Sequence, residues 1–156
     1  MDYDKLKGIV DFNAIAVDAG CSGNPGAMEY QGVYLGNEQR LFHFGPIPGT
    51  NNIGEFLAIV HALAFIKKNG WDMKVYSDSI SGMAWVRNKK AKTTLKRDAS
   101  TAQALDLVIR AENWLWANPK HAEVLKWNTE EWGEIPADFG RKASPKPSPK
   151  GKGSGK

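Results

Sequence analysis

The sequence predicts an α/β fold in which a mixed sheet of five strands is flanked by helices. Its first part is typical of a β-hairpin, and its second part alternates strands with helices. Hairpins make antiparallel strand pairs, whereas strands joined by helices run parallel, so the two parts together favour one mixed sheet with helices on its faces. The length of 156 residues fits one domain, and no apolar run is long enough to cross a membrane.

The first part of the chain contains three predicted strands. Residues 9–17 are apolar and rich in β-branched side chains, which predicts a buried strand, and a Gly-rich turn follows at residues 18–26. Two further strands are expected at residues 29–35 and 40–44, joined by a hairpin turn at Gly36 and Asn37.

A long helix is expected after a Gly- and Pro-containing break at residues 45–52. Apolar residues then recur at helical spacing from Ile53 to Ala64. Cations at Lys67 and Lys68, followed by Gly70, are typical of a helix end.

The second part predicts alternating strands and helices. A short strand at residues 74–77 precedes a brief helix at 81–88, and a longer amphipathic helix at 99–117 ends before Pro119. A last strand at 123–127 leads through a loop to a short final helix at 137–142.

Composition divides the chain into a domain and a tail. We expect residues 1–142 to form one domain and residues 143–156, rich in Pro, Ser, Gly and Lys, to form a basic disordered tail. The net charge is +4, and a second basic stretch, RNKKAKTTLKR at 87–97, indicates contact with a polyanion, although a solvated helix end is the alternative. The single cysteine, Cys21, excludes an internal disulfide, and the absence of a signal peptide favours a cytoplasmic protein. Since the sequence has no long heptad repeat, which would indicate a coiled-coil partner, we expect a monomer.

Four carboxylates stand where a metal site would need them. Asp18 and Asp78 each follow a predicted strand, Glu55 lies in the first turn of the long helix, and Asp138 opens the final helix. The carboxyl ends of parallel strands meet at one sheet edge, and several carboxylates in one place repel each other unless cations hold them. Hard oxygen ligands suit Mg²⁺ or Mn²⁺.

Each acid also has a structural interpretation. Asp18 could stabilise a turn, Asn52 and Glu55 could form a capping box, Asp78 could be an N-cap, and Asp138 could complement a helix dipole. Their joint order and context favour a site.

Four motifs resemble those of the type 1 ribonucleases H, within the retroviral-integrase-like nuclease superfamily. DAGCSGNPG at 18–26 resembles the family's first-strand signature, and TNNIGEF at 50–56 resembles its TNN-x-x-E signature. YSDS at 76–79 and PADFGRK at 136–142 are similar to its third and fourth motifs. The resemblance covers roughly residues 9–142 and implies an RNase H-like fold.

The resemblance implies an endonuclease that hydrolyses the RNA strand of RNA–DNA hybrids with two Mg²⁺ ions, for which Mn²⁺ can substitute. By similarity, Asp18 bridges both ions, Asp138 holds the ion that activates water, and Glu55 and Asp78 hold the ion beside the leaving group. The expected products carry 5′-phosphate and 3′-hydroxyl ends.

The same resemblance implies that several residues contact the hybrid in its minor groove, where the 2′-hydroxyl distinguishes RNA from DNA. Turn chemistry is the alternative for the two asparagines at 24 and 51. The implied substrate-binding residues are Cys21, Ser22, Asn24, Thr50, Asn51, Asn52 and Ser79.

The chain departs from the family in two places. The basic protrusion of many members is reduced to residues 87–97, and the loop before the last Asp lacks the usual His, which leaves Asn128 or Glu131 as auxiliary residues. A non-cleaving hybrid-binding module is the alternative function, and a DNA-directed nuclease of the same superfamily is a further one.

Overall fold

The computed structural model describes residues 1–139, which form a five-stranded mixed sheet with helices on its faces. In chain order the elements are α1 (Tyr3–Leu6), β1 (Ala14–Gly23), β2 (Gly26–Tyr34), β3 (Gln39–Gly49), α2 (Asn51–Asn69), β4 (Lys74–Ser77), α3 (Ile80–Asn88), α4 (Ala102–Ala117), β5 (Val124–Lys126) and α5 (Thr129–Trp132). The sheet order is β3-β2-β1-β4-β5. β1, β2 and β3 pair antiparallel, whereas β4 runs parallel to both β1 and β5. The predicted fold class is therefore confirmed.

The sheet separates two hydrophobic cores. On one face, Ile15, Val17 and Ala19 of β1 pack in a core with α2, α3 and α4. On the other face, Ala14 and Ala16 share a second core with α1 and the end of the described chain, through Leu6 and Ile135 among others. Because side chains alternate along a strand, Asp18 faces the second core.

α2 ends where the sequence predicts, but it begins at Asn51, within the break expected at residues 45–52. Oγ1 of Thr50 accepts a hydrogen bond from the Ile53 amide, which caps the first turn. Gly70 adopts a left-handed conformation (φ 65°), and its amide donates to the carbonyls of Ile66 and Lys67.

Several predicted strand boundaries in the hairpin half are wrong. β1 begins at Ala14 rather than at residue 9, and β2 begins at Gly26 rather than at residue 29. β1 continues to Gly23 instead of turning at Asp18, because every residue from Asp18 to Gly23 pairs with a residue of β2. β3 extends through Pro46 and Pro48 to Gly49. Proline lacks an amide donor but is tolerated there, since β3 forms an edge of the sheet.

Two four-residue helices, α1 and α5, were not expected from the sequence. In contrast, residues 137–139 are not helical, because the Asp138 amide donates to the carbonyl of Ile135 in a turn. The rest of the predicted final helix and the predicted tail at 143–156 lie outside the described residues. Within residues 1–139, no helix has both the length and the apolar character needed to span a bilayer.

A half-buried histidine, His61, links α2 to the sheet. The imidazole of His61 stacks on Phe42 with ring centroids 4.0 Å apart, and its Nδ1 forms a 2.9 Å hydrogen bond with Oη of Tyr30. Burial raises the pKa of Tyr30 to about 12 and lowers the pKa of His61. Burial therefore favours the neutral form of His61 in the folded protein.

We expect acidification to destabilise the protein partly through His61. As the pH falls through the unfolded-state pKa of histidine, about 6.5, the unfolded chain binds a proton that the folded chain takes up only at lower pH, so stability falls. The thermal midpoint should therefore fall less between pH 7.5 and pH 5.5 in His61→Gln than in the wild type. The glutamine amide can still bond to Tyr30 but does not titrate. An equal drop in both proteins would contradict this assignment.

Candidate active site

Asp18 and Asp78 lie at the same level of two parallel neighbouring strands. The register of β1 and β4 pairs Ala16 with Tyr76, and each aspartate comes two residues later. Asp18 is fully buried within β1, and Asp78 is half-buried between β4 and α3. The parallel pairing therefore places both carboxylates side by side at the carboxyl end of β4, as predicted.

Glu55 approaches the two aspartates from α2 and is only 3% exposed. The residue before it, Gly54, allows the helix to lie very close to β1, because a Cβ at that position would be 2.9 Å from the Cβ of Ala19. The missing side chain thus brings the first turns of α2, and Glu55 with them, against the strand that carries Asp18.

The three carboxylates form one cluster. Asp18, Glu55 and Asp78 each offer an oxygen, and these oxygens lie within 4.8 Å of one another. Three negative charges at this separation repel each other, and a divalent cation relieves that repulsion. Because all the donors are hard oxygens, the cluster fits Mg²⁺ or Mn²⁺.

The geometry contradicts three of the structural interpretations of these acids. Asp18 lies inside a paired strand rather than in a turn. The N-cap of α2 is Thr50, so Asn52 and Glu55 do not form a capping box. The N-cap of α3 is Ser79, whose Oγ accepts from the Gly82 amide at 2.9 Å, so Asp78 is not the cap.

Asp138 approaches from the second face of the sheet and is not a member of the three-carboxylate group. It follows two buried residues, Ile135 and Ala137, which anchor the end of the described chain in the second core. The Ala137 carbonyl accepts a 2.6 Å hydrogen bond from Nε2 of Gln31. Sequence reasoning did not single out Gln31, and only its polar position in an alternating strand could have drawn attention to it.

Six of the seven predicted substrate-binding residues lie where the β1–β2 turn meets the start of α2, whereas Ser79 is the N-cap of α3. Oδ1 of Asn24 accepts from the Asn51 amide at 3.1 Å, and Sγ of Cys21 donates to the Gly49 carbonyl at 3.7 Å. Ser22 and Asn52 are exposed. Some of these side chains therefore have structural roles as well, and their contacts with nucleic acid stay predictions.

The predicted auxiliary loop contains α5. Oδ1 of Asn128 caps this helix by accepting from the Glu131 amide at 3.1 Å. The Glu131 side chain is exposed. Asn128 therefore has a structural role here, and an auxiliary role for either residue stays a prediction.

The basic stretch at 87–97 is partly neutralised by α4. Arg97 forms an ion pair with Asp106 at 2.9 Å, and Nζ of Lys90 lies 3.9 Å from Glu112. Lys89 lies over the exposed ring of Trp116, 5.2 Å from its centroid. Fewer of these cations are available to a polyanion than the sequence alone suggests.

Sequence comparison finds relatives of the chain among the ribonucleases H. Ribonuclease H of Ruthia magnifica subsp. Calyptogena magnifica is 33% identical over 114 residues, which cover 65% of this chain and 77% of that protein. Ribonuclease H of Syntrophomonas wolfei subsp. wolfei is 39% identical over 66 residues, which cover 42% of this chain and 45% of the relative. The match thus spans less than half the length of the Syntrophomonas protein. No protein-family model matches the chain.

Structure comparison gives similar but more distant neighbours. RNase H1 from the archaeon Halobacterium salinarum NRC-1 has a TM-score of 0.45 and 20% identity, and covers 75% of this chain and 86% of its own. LC11-RNase H1, solved with an RNA/DNA hybrid, has a TM-score of 0.47 and 19% identity, with coverage of 75% and 86%.

Proposed function

Because this chain belongs to the ribonuclease H family, we propose that it is an endoribonuclease that hydrolyses the RNA strand of RNA–DNA hybrids. The proposed products carry 5′-phosphate and 3′-hydroxyl ends. A metal-dependent phosphodiester hydrolysis needs clustered oxygen ligands at a place that a nucleic acid can reach.

The observation that carries the proposal is the cluster of Asp18, Glu55 and Asp78 within 4.8 Å. These residues come from a strand, a helix and the loop after a second strand, and two of the three are buried. Burying like charges together is costly, so an arrangement with no function would be unfavourable.

We propose that Asp18, Glu55 and Asp78 hold Mg²⁺, with Asp138 as a fourth ligand. Two such ions, when bound, lower the pKa of a water molecule and stabilise the charge that develops on the leaving 3′ oxygen. The protein's own contribution is rigidity, because paired strands and a buried helix hold the cluster residues in place.

We propose that the surface around the β1–β2 turn and the N-terminus of α2 recognises the hybrid. Asn24, Asn51 and Asn52 combine amide donors and acceptors, which suit both a 2′-hydroxyl and a base edge. The hydrogen bond between Asn24 and the Asn51 amide holds the turn against the helix. This link supports a preformed surface rather than one ordered by the substrate.

The test compares a 5′-labelled RNA–DNA hybrid with matched RNA–RNA and DNA–DNA duplexes, each in Mg²⁺, Mn²⁺ or chelator. We expect internal cuts confined to the RNA of the hybrid, dependent on metal and absent in chelator. Restoring Mg²⁺ after chelation should restore cleavage, which excludes irreversible unfolding as the cause of the loss.

Two outcomes would contradict the proposal. Binding of the hybrid without cleavage in either metal would make the protein a binding module. Cleavage of duplex DNA at a rate comparable to that of the hybrid would instead indicate a DNA-directed nuclease.

A further inference from the structure

The end of the described chain is tied to the sheet by one side chain of β2. Nε2 of Gln31 donates to the Ala137 carbonyl at 2.6 Å, across 106 positions of sequence. Nη1 of Arg40 on β3 donates to Oε1 of Gln31 at 3.3 Å. Because Arg40 requires an acceptor, it directs the amide oxygen of Gln31 towards itself and the nitrogen towards Ala137.

The strand register places this contact beside the carboxylate cluster. Asp18 pairs with Gln31 in β1 and β2, and Gln31 pairs with His43 in β2 and β3. Directly paired residues share one face of a sheet, so Asp18, Gln31 and His43 form a row across three strands. The end of the described chain lies beside this row, since the ring of Phe139 is 6.2 Å from that of His43.

We propose that Gln31 is a positioning residue that fixes the carboxylate of Asp138 relative to Asp18. The residue that it holds, Ala137, is directly bonded to Asp138, and the residue that it pairs with is Asp18 itself. The Gln31 amide therefore sets the separation between the cluster and its fourth ligand. The inference rests on the proposed function, in which Asp138 is that ligand.

A purely structural role for Gln31 predicts that its loss lowers global stability, whereas the positioning role predicts a local effect. Ile135, Ala137 and Trp127 are buried in the second core, and this packing retains the segment when one hydrogen bond is lost. Loss of the Gln31 amide should therefore leave global stability nearly unchanged and alter only the placement of residues 137–139. Metal affinity and kcat would fall, whereas KM for the hybrid would stay constant.

The test uses Gln31→Leu, which keeps most of the side-chain volume but cannot donate. The matched control is Gln39→Leu, an exposed glutamine of β3 that bonds to Asn37 instead. The first readout is hydrogen exchange in the metal-free protein. We expect about tenfold faster exchange in Gln31→Leu, confined to residues 135–139, on the scale of one lost hydrogen bond.

The second readout is the dissociation constant for Mn²⁺ without nucleic acid, measured by electron paramagnetic resonance. We expect a rise of about tenfold in Gln31→Leu and none in Gln39→Leu. In an Asp138→Asn background, Gln31→Leu should add no further loss, because its effect acts through Asp138.

Unchanged exchange at residues 135–139, unchanged Mn²⁺ affinity, or additive losses in the double variant would each overturn the positioning role. A wild-type protein that binds no Mn²⁺ and cleaves no hybrid would overturn the proposed function instead. The exchange measurement would still decide whether Gln31 holds Asp138, so the two failures are distinguishable.

Discussion

The Asp18→Asn variant is expected to cleave the RNA–DNA hybrid at least about a thousandfold more slowly than the wild type while being more stable. Metal ligation supplies several kcal/mol of transition-state stabilisation, which corresponds to roughly three orders of magnitude in rate. In the metal-free protein the same change removes one of three carboxylates within 4.8 Å of each other. The relief of repulsion should raise the thermal midpoint by roughly 3 °C or more.

These opposite effects distinguish a functional cluster from a structural one. The measurements are kcat/KM on the hybrid and the thermal midpoint in chelator. Asp11→Asn is the matched control, because Asp11 forms an exposed ion pair with Lys74 away from the cluster and should change neither quantity appreciably. A large loss of both activity and stability in Asp18→Asn would indicate that Asp18 mainly supports the fold.

The second large effect is expected at Trp127, where replacement by Ala should cost about 3–5 kcal/mol of unfolding free energy. Its indole is fully buried, and Nε1 donates to the Gly133 carbonyl at 2.8 Å. Its ring also packs edge to face against Tyr76 and Trp132. The substitution leaves a large cavity under the segment that leads to Asp138.

Urea unfolding measures this cost, and the chain offers a matched control. Trp116 is 68% exposed and contacts Lys89 through its ring, so Trp116→Ala should cost no more than about 1 kcal/mol. Similar losses in the two variants would contradict the role assigned to the second core.

The three clustered carboxylates could be predicted because each has a local signal. Asp18 and Asp78 follow apolar runs, and Glu55 lies in the first turn of a helix predicted from its apolar repeat. Local patterns also predicted β4 with its observed bounds and the end of α2 at Gly70. At these positions local preference and the global fold agree, so the pattern was sufficient.

The remaining features depend on contacts between distant parts of the chain. β1 continues through Gly20 and Gly23 only because β2 pairs with it, which outweighs the low strand preference of glycine. The bond from Gln31 to Ala137 spans 106 positions and has no local pattern. The turn before Asp138 likewise replaces an expected helix start, because Ile135 and Ala137 are buried against the sheet.

The two edges of the sheet have a consequence for the behaviour of the protein in concentrated solution. An exposed strand edge presents unpaired amides and carbonyls that can recruit a strand of another chain and start aggregation. At one edge β3 contains Pro46 and Pro48, which lack the amide donor that such pairing needs. At the other edge β5 is only three residues long. Both edges therefore resist the addition of a strand from another molecule, which protects the protein against edge-to-edge aggregation.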